Sequence, residues 1–121
     1  MNSQNWAAAL LLTPLCALAA DFEPALLKDV QPGATGSAPT NFFLHSNAFV
    51  YFSADDGTSG REIWRTDGGA VTNLAWDIAG GTTSSNPADF TEAAGGKIFF
   101  TYETPAVGRE LGMVIPGGSP S

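Results

Sequence analysis

The chain matches itself at an offset of 48 residues without a gap, and this internal repeat constrains the fold more than any other feature of the sequence. Similar residues reinforce the match, since Val30 corresponds to Ile78 and Tyr51 to Phe99. We therefore expect a structure built from two copies of one unit. The identical positions are Asp29 and Asp77, Gly33 and Gly81, Thr35 and Thr83, Ser37 and Ser85, Pro39 and Pro87, Phe42 and Phe90, Phe52 and Phe100, and the triplet Gly60-Arg61-Glu62 with Gly108-Arg109-Glu110.

Each unit contains short apolar segments that are typical of β-strands. Residues 49–52 and 98–100 are aromatic and β-branched runs bounded by turn-forming residues. No segment after residue 20 shows apolar residues at the 3.6-residue period of a helix, so the rest of the chain is predicted to be all-β. The predicted strands cover residues 49–52, 61–66, 71–78, 98–100 and 109–114, with shorter strands near Phe42 and Phe90.

Four short strands per unit predict two tandem four-stranded antiparallel blades of the propeller type, the second incomplete. Residues 49–52 are apolar at four consecutive positions, so their strand needs cover on both faces, which stacked blades supply. The second unit ends after its strand at 109–114 and lacks a fourth. Residues 26–30 align with residues 74–78 and are predicted to form an N-terminal strand of the kind that fills this place, which within a chain of two units requires a neighbouring subunit. Alternatively, the chain is a fragment or truncated relative of a larger repeat protein.

The first twenty residues predict a signal peptide helix, because they carry no charged side chain and are apolar from Trp6 to Ala20. Ala17-Leu18-Ala19 matches a cleavage pattern, which places cleavage before Ala20 or before Asp21. The protein is then secreted, periplasmic or at the cell surface; an uncleaved anchor is the alternative. The predicted division is a signal peptide over 1–20, a first β repeat with the N-terminal strand over 21–73, a second, degenerate β repeat over 74–115 and a disordered tail over 116–121.

Charge and cysteine content exclude several classes of function. All 12 acidic and all 5 basic residues follow residue 20, so the mature segment carries the net charge of −7. Nucleic-acid binding is not expected, because phosphate neutralisation needs clustered Lys and Arg. The single cysteine, Cys16, lies in the predicted signal peptide, which leaves no thiol for a disulfide, a nucleophile or a zinc ligand.

Residues 62–69, EIWRTDGG, together with the acidic turn before them, resemble the ELWxxDGT repeat family of bacterial secreted and surface proteins. In the second unit Glu110 and Leu111 fit, whereas Gly112 stands where tryptophan is expected and Ile115-Pro116 stands where Asp-Gly is expected. The resemblance covers residues 26–114. It implies tandem, propeller-like β repeats on exported proteins, and it implies no catalytic residue.

The stretch Asp55-Asp56-Gly57 permits two interpretations, a loosely bound Ca²⁺ or a hairpin turn. The turn is favoured because the second unit does not keep the acidic residues. Ser59 is disfavoured as a nucleophile, since Val107 corresponds to it and the G-x-S-x-G spacing is missed. His45, the one histidine, is predicted to be a loop residue.

Both units keep Gly-Arg-Glu, which predicts a shared structural role. The glycines are expected to adopt a backbone angle that other residues resist. Glu62 and Trp64 should point to one face of their strand, and Glu62 and Glu110 should bond to arginine side chains or turn amides between adjacent blades. Paired acid and base carboxylates are disfavoured, because both occupy the same scaffold position. The predicted structural motif comprises Gly60, Arg61, Glu62, Trp64, Asp67, Gly68, Gly108, Arg109 and Glu110.

Together these features predict an exported repeat protein that acts as a structural or interaction module, without catalysis and without a cofactor. Two alternatives remain, a truncated fragment of a larger secreted propeller enzyme and a calcium-dependent surface adhesin. The expected partners are further repeats, a second copy, or a surface protein or glycan, and not nucleic acid.

Overall fold

The computed structural model of the protein describes residues 23–117. The expected signal peptide with its cleavage site and most of the expected disordered tail, residues 118–121, lie outside the described residues. The described chain is all-β and contains no helix, as predicted, and therefore no helix that could cross a membrane. Its strands are β1 (Thr40–Leu44), β2 (Val50–Asp55), β3 (Arg61–Thr66), β4 (Thr72–Trp76), β5 (Ala88–Ala93), β6 (Lys97–Thr104) and β7 (Gly108–Val114).

The strands form two antiparallel sheets, one with the order β1-β2-β3-β4 and one with the order β5-β6-β7. Each strand pairs with the next along the chain, as expected where short turns join aromatic and β-branched runs. The two sheets divide after β4, which pairs with β3. The second sheet has three strands, as the missing fourth segment predicted.

The backbone geometry of the first sheet recurs 48 residues later in the second. The irregularity in the β1–β2 pairing falls between Thr40 and Phe43, and that in the β5–β6 pairing between Ala88 and Thr91. Left-handed backbone angles also recur, since Asn41 has φ 58° and Asp89 has φ 57°. The same holds for Ala38 with Asn86, Ala48 with Gly96, and Gly60 with Gly108. The two sheets therefore share local geometry as well as strand order.

The main core lies between the two sheets. Tyr51 and Ile63 on the first sheet pack with Ile98 and Phe100 on the second, and all four are buried. Phe43 of β1 stacks on the ring of Phe90 in β5 with 6.3 Å between ring centroids. A second cluster, formed by Phe52, Ala54 and Trp64, packs with Val30 and Leu74. β2 therefore places side chains in two separate clusters, which confirms that its apolar run is covered on both faces.

Residues 26–30 do not form the expected strand. Val30 packs against the Phe52 and Trp64 cluster, and the segment lies beside Phe42 in an open groove on the first sheet. The segment is unpaired because, within one chain, it lies against the first sheet. The sheet in which it was expected to be the fourth strand is the second one. Leu26 remains 83% exposed.

A polar contact joins the turn after β1 to the second sheet. His45 is a loop residue, as predicted, but it is buried. Its Nδ1 accepts a hydrogen bond from the Asn47 amide at 3.1 Å, so its Nε2 donates to the Gly96 carbonyl at 3.0 Å. The Ser46 hydroxyl donates to Glu92 Oε1 at 2.5 Å. This hydrogen bond, together with the Ser46 amide and His45, lowers the pKa of Glu92, and these effects outweigh burial, which raises it.

The core predicts different costs for the same kind of truncation at two corresponding positions. Ile63 is fully buried between the sheets, whereas Leu111, 48 residues later, is 69% exposed. Ile63→Ala should lower the free energy of unfolding by about 2–5 kcal/mol, because a cavity is left between the sheets. Leu111→Ala should change it by less than about 0.5 kcal/mol. Urea unfolding followed by tryptophan fluorescence in dilute solution measures both, and equal effects would contradict this assignment of the core.

Candidate functional site

The junction between the two sheets is built around the carboxylate of Glu62, which is fully buried at the start of β3. Its Oε1 accepts the Ser85 amide at 2.8 Å. Its Oε2 accepts the Ser85 hydroxyl at 2.5 Å and the Ile78 amide at 2.9 Å. Both donor residues lie in the linker over residues 77–87, which connects β4 to β5. The prediction that Glu62 bonds to turn amides between the sheets is confirmed.

Two opposing effects act on the ionisation of Glu62. Burial raises the pKa of its carboxyl above the ordinary value of 4.5, and the negative charge of Asp77 acts in the same direction. Hydrogen bonds from Ser85 and Ile78 favour the carboxylate and partly offset the burial. The net direction is upward, so the folded chain holds this proton to a higher pH than the unfolded chain does.

Arg61 reinforces the junction through both its backbone and its side chain. Its carbonyl accepts the amides of Ser85 at 3.1 Å and Asn86 at 3.2 Å, and its own amide donates to the Ser84 hydroxyl at 2.8 Å. Its guanidinium donates to the Ala38 carbonyl. Arg109 repeats this last contact by donating to the Asn86 carbonyl at 3.2 Å. The arginine of each unit therefore binds the segment that leads into its own sheet.

Gly60 meets two requirements at the start of β3. Its φ is 73°, the left-handed region that glycine tolerates best, and Gly108 has φ 72°, as the sequence predicted. A Cβ at Gly60 would also lie 2.6 Å from the Thr83 carbonyl oxygen, so the linker leaves no room for a side chain. Nothing lies within 4 Å of a Cβ built at Gly108.

Trp64, Asp67 and Gly68 complete the motif of the first unit in other ways. Trp64 packs in the second cluster, and its indole N–H has no hydrogen-bond partner among the described residues. Asp67 Oδ1 accepts the amides of Gly69 at 2.8 Å and Val71 at 3.0 Å and thereby closes the turn between β3 and β4. These hydrogen bonds lower the pKa of Asp67. Gly68 supplies the left-handed angle in this turn, with φ 80°.

The acidic stretch after β2 forms a turn that is held by its own side chains. Asp55 Oδ1 accepts the Gly57 amide at 2.8 Å, and Asp56 Oδ1 accepts the Ser59 amide at 2.6 Å. Partial burial raises the pKa of Asp56, but the hydrogen bonds from Ser59 and Thr58 outweigh it and lower the pKa overall. The Ser59 hydroxyl donates to Asp56 at 3.1 Å, while His45 lies beyond the opposite end of β2. Residues 23–117 contain no group of three His, Cys, Asp or Glu side chains placed to hold a metal ion.

Glu110 does not make the contacts predicted for it. It is exposed, and among the described residues it accepts no hydrogen bond. The two partners of Glu62 lie 16 and 23 residues further along the chain. Residues 16 and 23 positions after Glu110 are not among the residues that the structure describes. At Gly112, where tryptophan was expected, the rings of Phe100 and Tyr102 fill the space, because a Cβ there would lie 2.8 Å from Phe100.

Sequence reasoning did not assign a role to Ser85 or to Asn86. Ser85 was visible as a repeated residue, matched by Ser37, but its burial against Glu62 depends on the fold of the linker. Asn86 donates to Glu103 at 2.6 Å, and Glu103 also contacts Arg109 at 3.3 Å. These contacts tie the linker to the second sheet while Glu62 ties it to the first.

Two open grooves lie on corresponding parts of the two sheets. One is lined by residues 75–78 together with Phe100 and Tyr102, and the other by residues 25–28 and Val30 together with Phe42 and Phe52. Asp77 is the charged residue of the first and Lys28 that of the second. The first groove also holds the phenol of Tyr102, whereas Lys28 is the titratable side chain that lines the second.

No family model, curated protein or solved structure matches this chain. The contacts that the motif makes are therefore the evidence on its role. Its buried carboxylate, arginine and glycine all contact segments of the same chain. Such an arrangement can position neighbouring sheets against one another.

Glu62→Gln is expected to lower the free energy of unfolding by about 1–3 kcal/mol, because the amide nitrogen would face the Ser85 amide or hydroxyl and leave a buried donor unpaired. The melting temperature should fall by several degrees. Glu110→Gln is the matched control and should change the free energy of unfolding by less than about 0.5 kcal/mol, since Glu110 is exposed.

The difference in stability between wild type and Glu62→Gln should depend on pH in a defined direction. Folded wild type keeps the Glu62 proton above the unfolded pKa, so its stability relative to Glu62→Gln should increase as the pH falls from neutral through the raised pKa, and level off below the ordinary value of 4.5. Carboxyls with lowered pKa, such as Asp56 and Glu92, are common to both proteins and cancel in the difference. Urea unfolding between pH 4 and pH 7 measures this difference. A pH-independent difference, or equal effects of Glu62→Gln and Glu110→Gln, would contradict the role of Glu62.

Proposed function

We propose that this protein is an exported repeat protein of the β-propeller type that acts as a structural or interaction module and has no catalysis of its own. The recurrence of strand register, irregularity and left-handed backbone angles at 48 residues supports a tandem repeat. The face-to-face core around Ile63 and Ile98 supports a blade-like relation between the sheets.

The observation that carries the proposal is the use of the Gly-Arg-Glu motif. Glu62 and Gly60 hold the linker that leads from the first sheet to the second. A residue set that positions one sheet against the next suits an architecture in which successive units stack. The ELWxxDGT resemblance of residues 62–69 points to the same class of protein, and under this proposal the motif is a scaffold element.

Export belongs to the proposal because of the apolar, uncharged segment over residues 1–20 and its A-x-A pattern. The destination is the periplasm, the cell surface or the medium. Acidity at net charge −7 suits an exposed, soluble surface. The partners that fit such a module are further repeats, a second copy of the chain, or a surface protein or glycan.

Export predicts a shortened chain. Expressed in a bacterium as the full 121 residues, the protein should lose residues 1–19 or 1–20 and leave the cytoplasm. Intact-mass spectrometry of the cytoplasmic, periplasmic and medium fractions measures this loss. Ala19→Arg combined with Ala20→Arg is the control, because it removes the small residue before both cleavage positions and should leave the precursor uncut. Full-length wild-type protein confined to the cytoplasm would refute export.

The repeat architecture predicts that a third and a fourth unit can be added in register. Because 23 plus twice 48 is 119, fusing residues 23–118 directly to a second copy that begins at residue 23 keeps the 48-residue period. The fused chain should unfold in one transition at a higher urea concentration than the single copy, since each added unit adds a stabilising junction. Urea unfolding of both proteins in dilute solution measures the difference.

The matched control is the same fusion with Glu110→Gln in its first copy only. This change should remove much of the gain, because Glu110 of the first copy would then hold Val30 and Ser37 of the second copy as Glu62 holds Ile78 and Ser85. A fusion that unfolds at the midpoint of the single copy would refute the repeat architecture.

A further inference from the structure

The junction between the sheets has two halves, and a counterpart of each half lies unused on an outer surface of the chain. One half consists of Glu62 and Ile63 at the end of the first sheet, and its counterpart on the second sheet is Glu110 and Leu111. The other half is formed by residues 78–87 of the linker, and its counterpart is the segment over residues 30–39. We call these counterparts the outgoing face, meaning β7 with Glu110 and Leu111, whose side chains point to opposite faces of the strand, and the incoming segment, residues 24–38.

The outgoing face is open. Leu111 is 69% exposed, whereas Ile63 at the corresponding position is fully buried. Met113 and Ile115 are also exposed on the same end of the chain. Glu110 has the residue type of Glu62 but accepts no hydrogen bond within residues 23–117. The acceptor Glu110 and the apolar side chains of Leu111 and Met113 are therefore both uncovered, on opposite faces of the same strand.

The end of the incoming segment, at Ser37 and Ala38, makes the same backbone contacts as the end of the linker. The Ser37 carbonyl accepts the Asp55 amide at 3.1 Å, just as the Ser85 carbonyl accepts the Glu103 amide at 2.8 Å. The carbonyl of Ala38 accepts a hydrogen bond from Arg61, just as the carbonyl of Asn86 accepts one from Arg109. The segment is thus held against the sheet that follows it in the manner of the linker.

The donors of the incoming segment lack the partner that the linker has. In the linker, the Ser85 amide and hydroxyl and the Ile78 amide bind Glu62. The corresponding groups of Ser37 and Val30 make no hydrogen bond in the part of the chain that the structure describes. The free donors of the incoming segment therefore match the free acceptor of the outgoing face.

One chain cannot bring these two halves together. Val30 packs on the Phe52 and Trp64 cluster of the first sheet, whereas the second sheet covers the Tyr51 and Ile63 side. The incoming segment and the outgoing face therefore lie on opposite outer sides of the sheet pair.

We propose that copies of this chain associate head to tail, with the incoming segment of one copy bound to the outgoing face of the next. The Val30 amide and the Ser37 amide and hydroxyl donate to Glu110 of the neighbouring copy. This inference rests on the proposed repeat architecture and names a second copy as the partner. It continues the contact that already joins the two sheets within each chain.

The same register gives the second sheet a fourth strand. Leu74 lies beside Trp64 in the β3–β4 pairing, so Leu26 of the incoming copy lies beside Gly112 of β7. There Leu26 covers Phe100 and Tyr102, whose rings occupy the space next to Gly112. Residues 24–28 pair with the free edge of β7, and the exposed side chain of Leu26 becomes buried.

A head-to-tail contact uses two different surfaces, so copies add until the rotation between them closes a ring or continues as a filament. Each copy contributes two sheets. Two to four copies would give four to eight sheets, the range over which propellers close. A ring is the outcome that leaves neither an outgoing face nor an incoming segment uncovered.

Size-exclusion chromatography with light scattering on the full chain, at about 0.15 M salt to screen the net charge of −7, tests the proposal. The expected mass is at least twice that of one chain at high micromolar concentration and falls to that of one chain on dilution. Glu110→Gln should weaken association at least tenfold, as the loss of hydrogen bonds to a charged group predicts. Leu26→Asp should abolish it.

Both residues are exposed in the single chain, so circular dichroism and melting of the dilute variants should match wild type. Glu23→Gln is the matched control, because it removes one exposed carboxylate outside the incoming segment and should leave association unchanged. A wild-type chain that stays single at every concentration overturns the proposal, and so does association that neither variant weakens. If the fused chain described above gains stability while free chains stay single, the repeat architecture stands and self-association fails.

Discussion

The buried carboxylate of Glu62 is the constraint on which the arrangement of the two sheets depends. A carboxylate removed from water costs several kcal/mol unless donors replace the lost hydration, and here the linker supplies three of them. Those bonds fix the path of the linker at Ile78 and at Ser85. Because β5 begins three residues after Ser85, the same bonds set where the second sheet starts and allow Ile98 to meet Ile63 in the core.

The linker is held from both sides, which makes the junction more than a contact between two apolar faces. Ser85 gives its amide and hydroxyl to the first sheet and its carbonyl to Glu103 of the second. The contact between His45 and Gly96 adds a polar tie at a second junction of the sheets. Apolar packing supplies area without direction, whereas these hydrogen bonds have preferred geometry and therefore specify how one sheet sits on the other.

The two units show how a neighbour changes the role of one residue type. Gly60 and Gly108 have the same backbone angle, but only Gly60 is crowded by a following segment. Glu62 and Glu110 differ in the same way, one buried and bonded and the other exposed. Glu110 makes no such contact within residues 23–117, because the repeat predicts position within a unit, whereas burial depends on the segment packed against it.

The strands of the two sheets, their order, the left-handed glycines and the turn at residues 55–57 could be predicted from the sequence, because each depends on residues a few positions apart. Alternation, turn chemistry and backbone freedom are local properties. The unpaired state of residues 26–30, the burial of His45 and the role of Ser85 were decided by the tertiary structure. Their partners lie on other segments, and no local pattern specifies which surfaces those segments leave open. The sequence by itself determined the repeating unit, and the packing of one unit against the next decided which of its groups are buried, bonded or exposed.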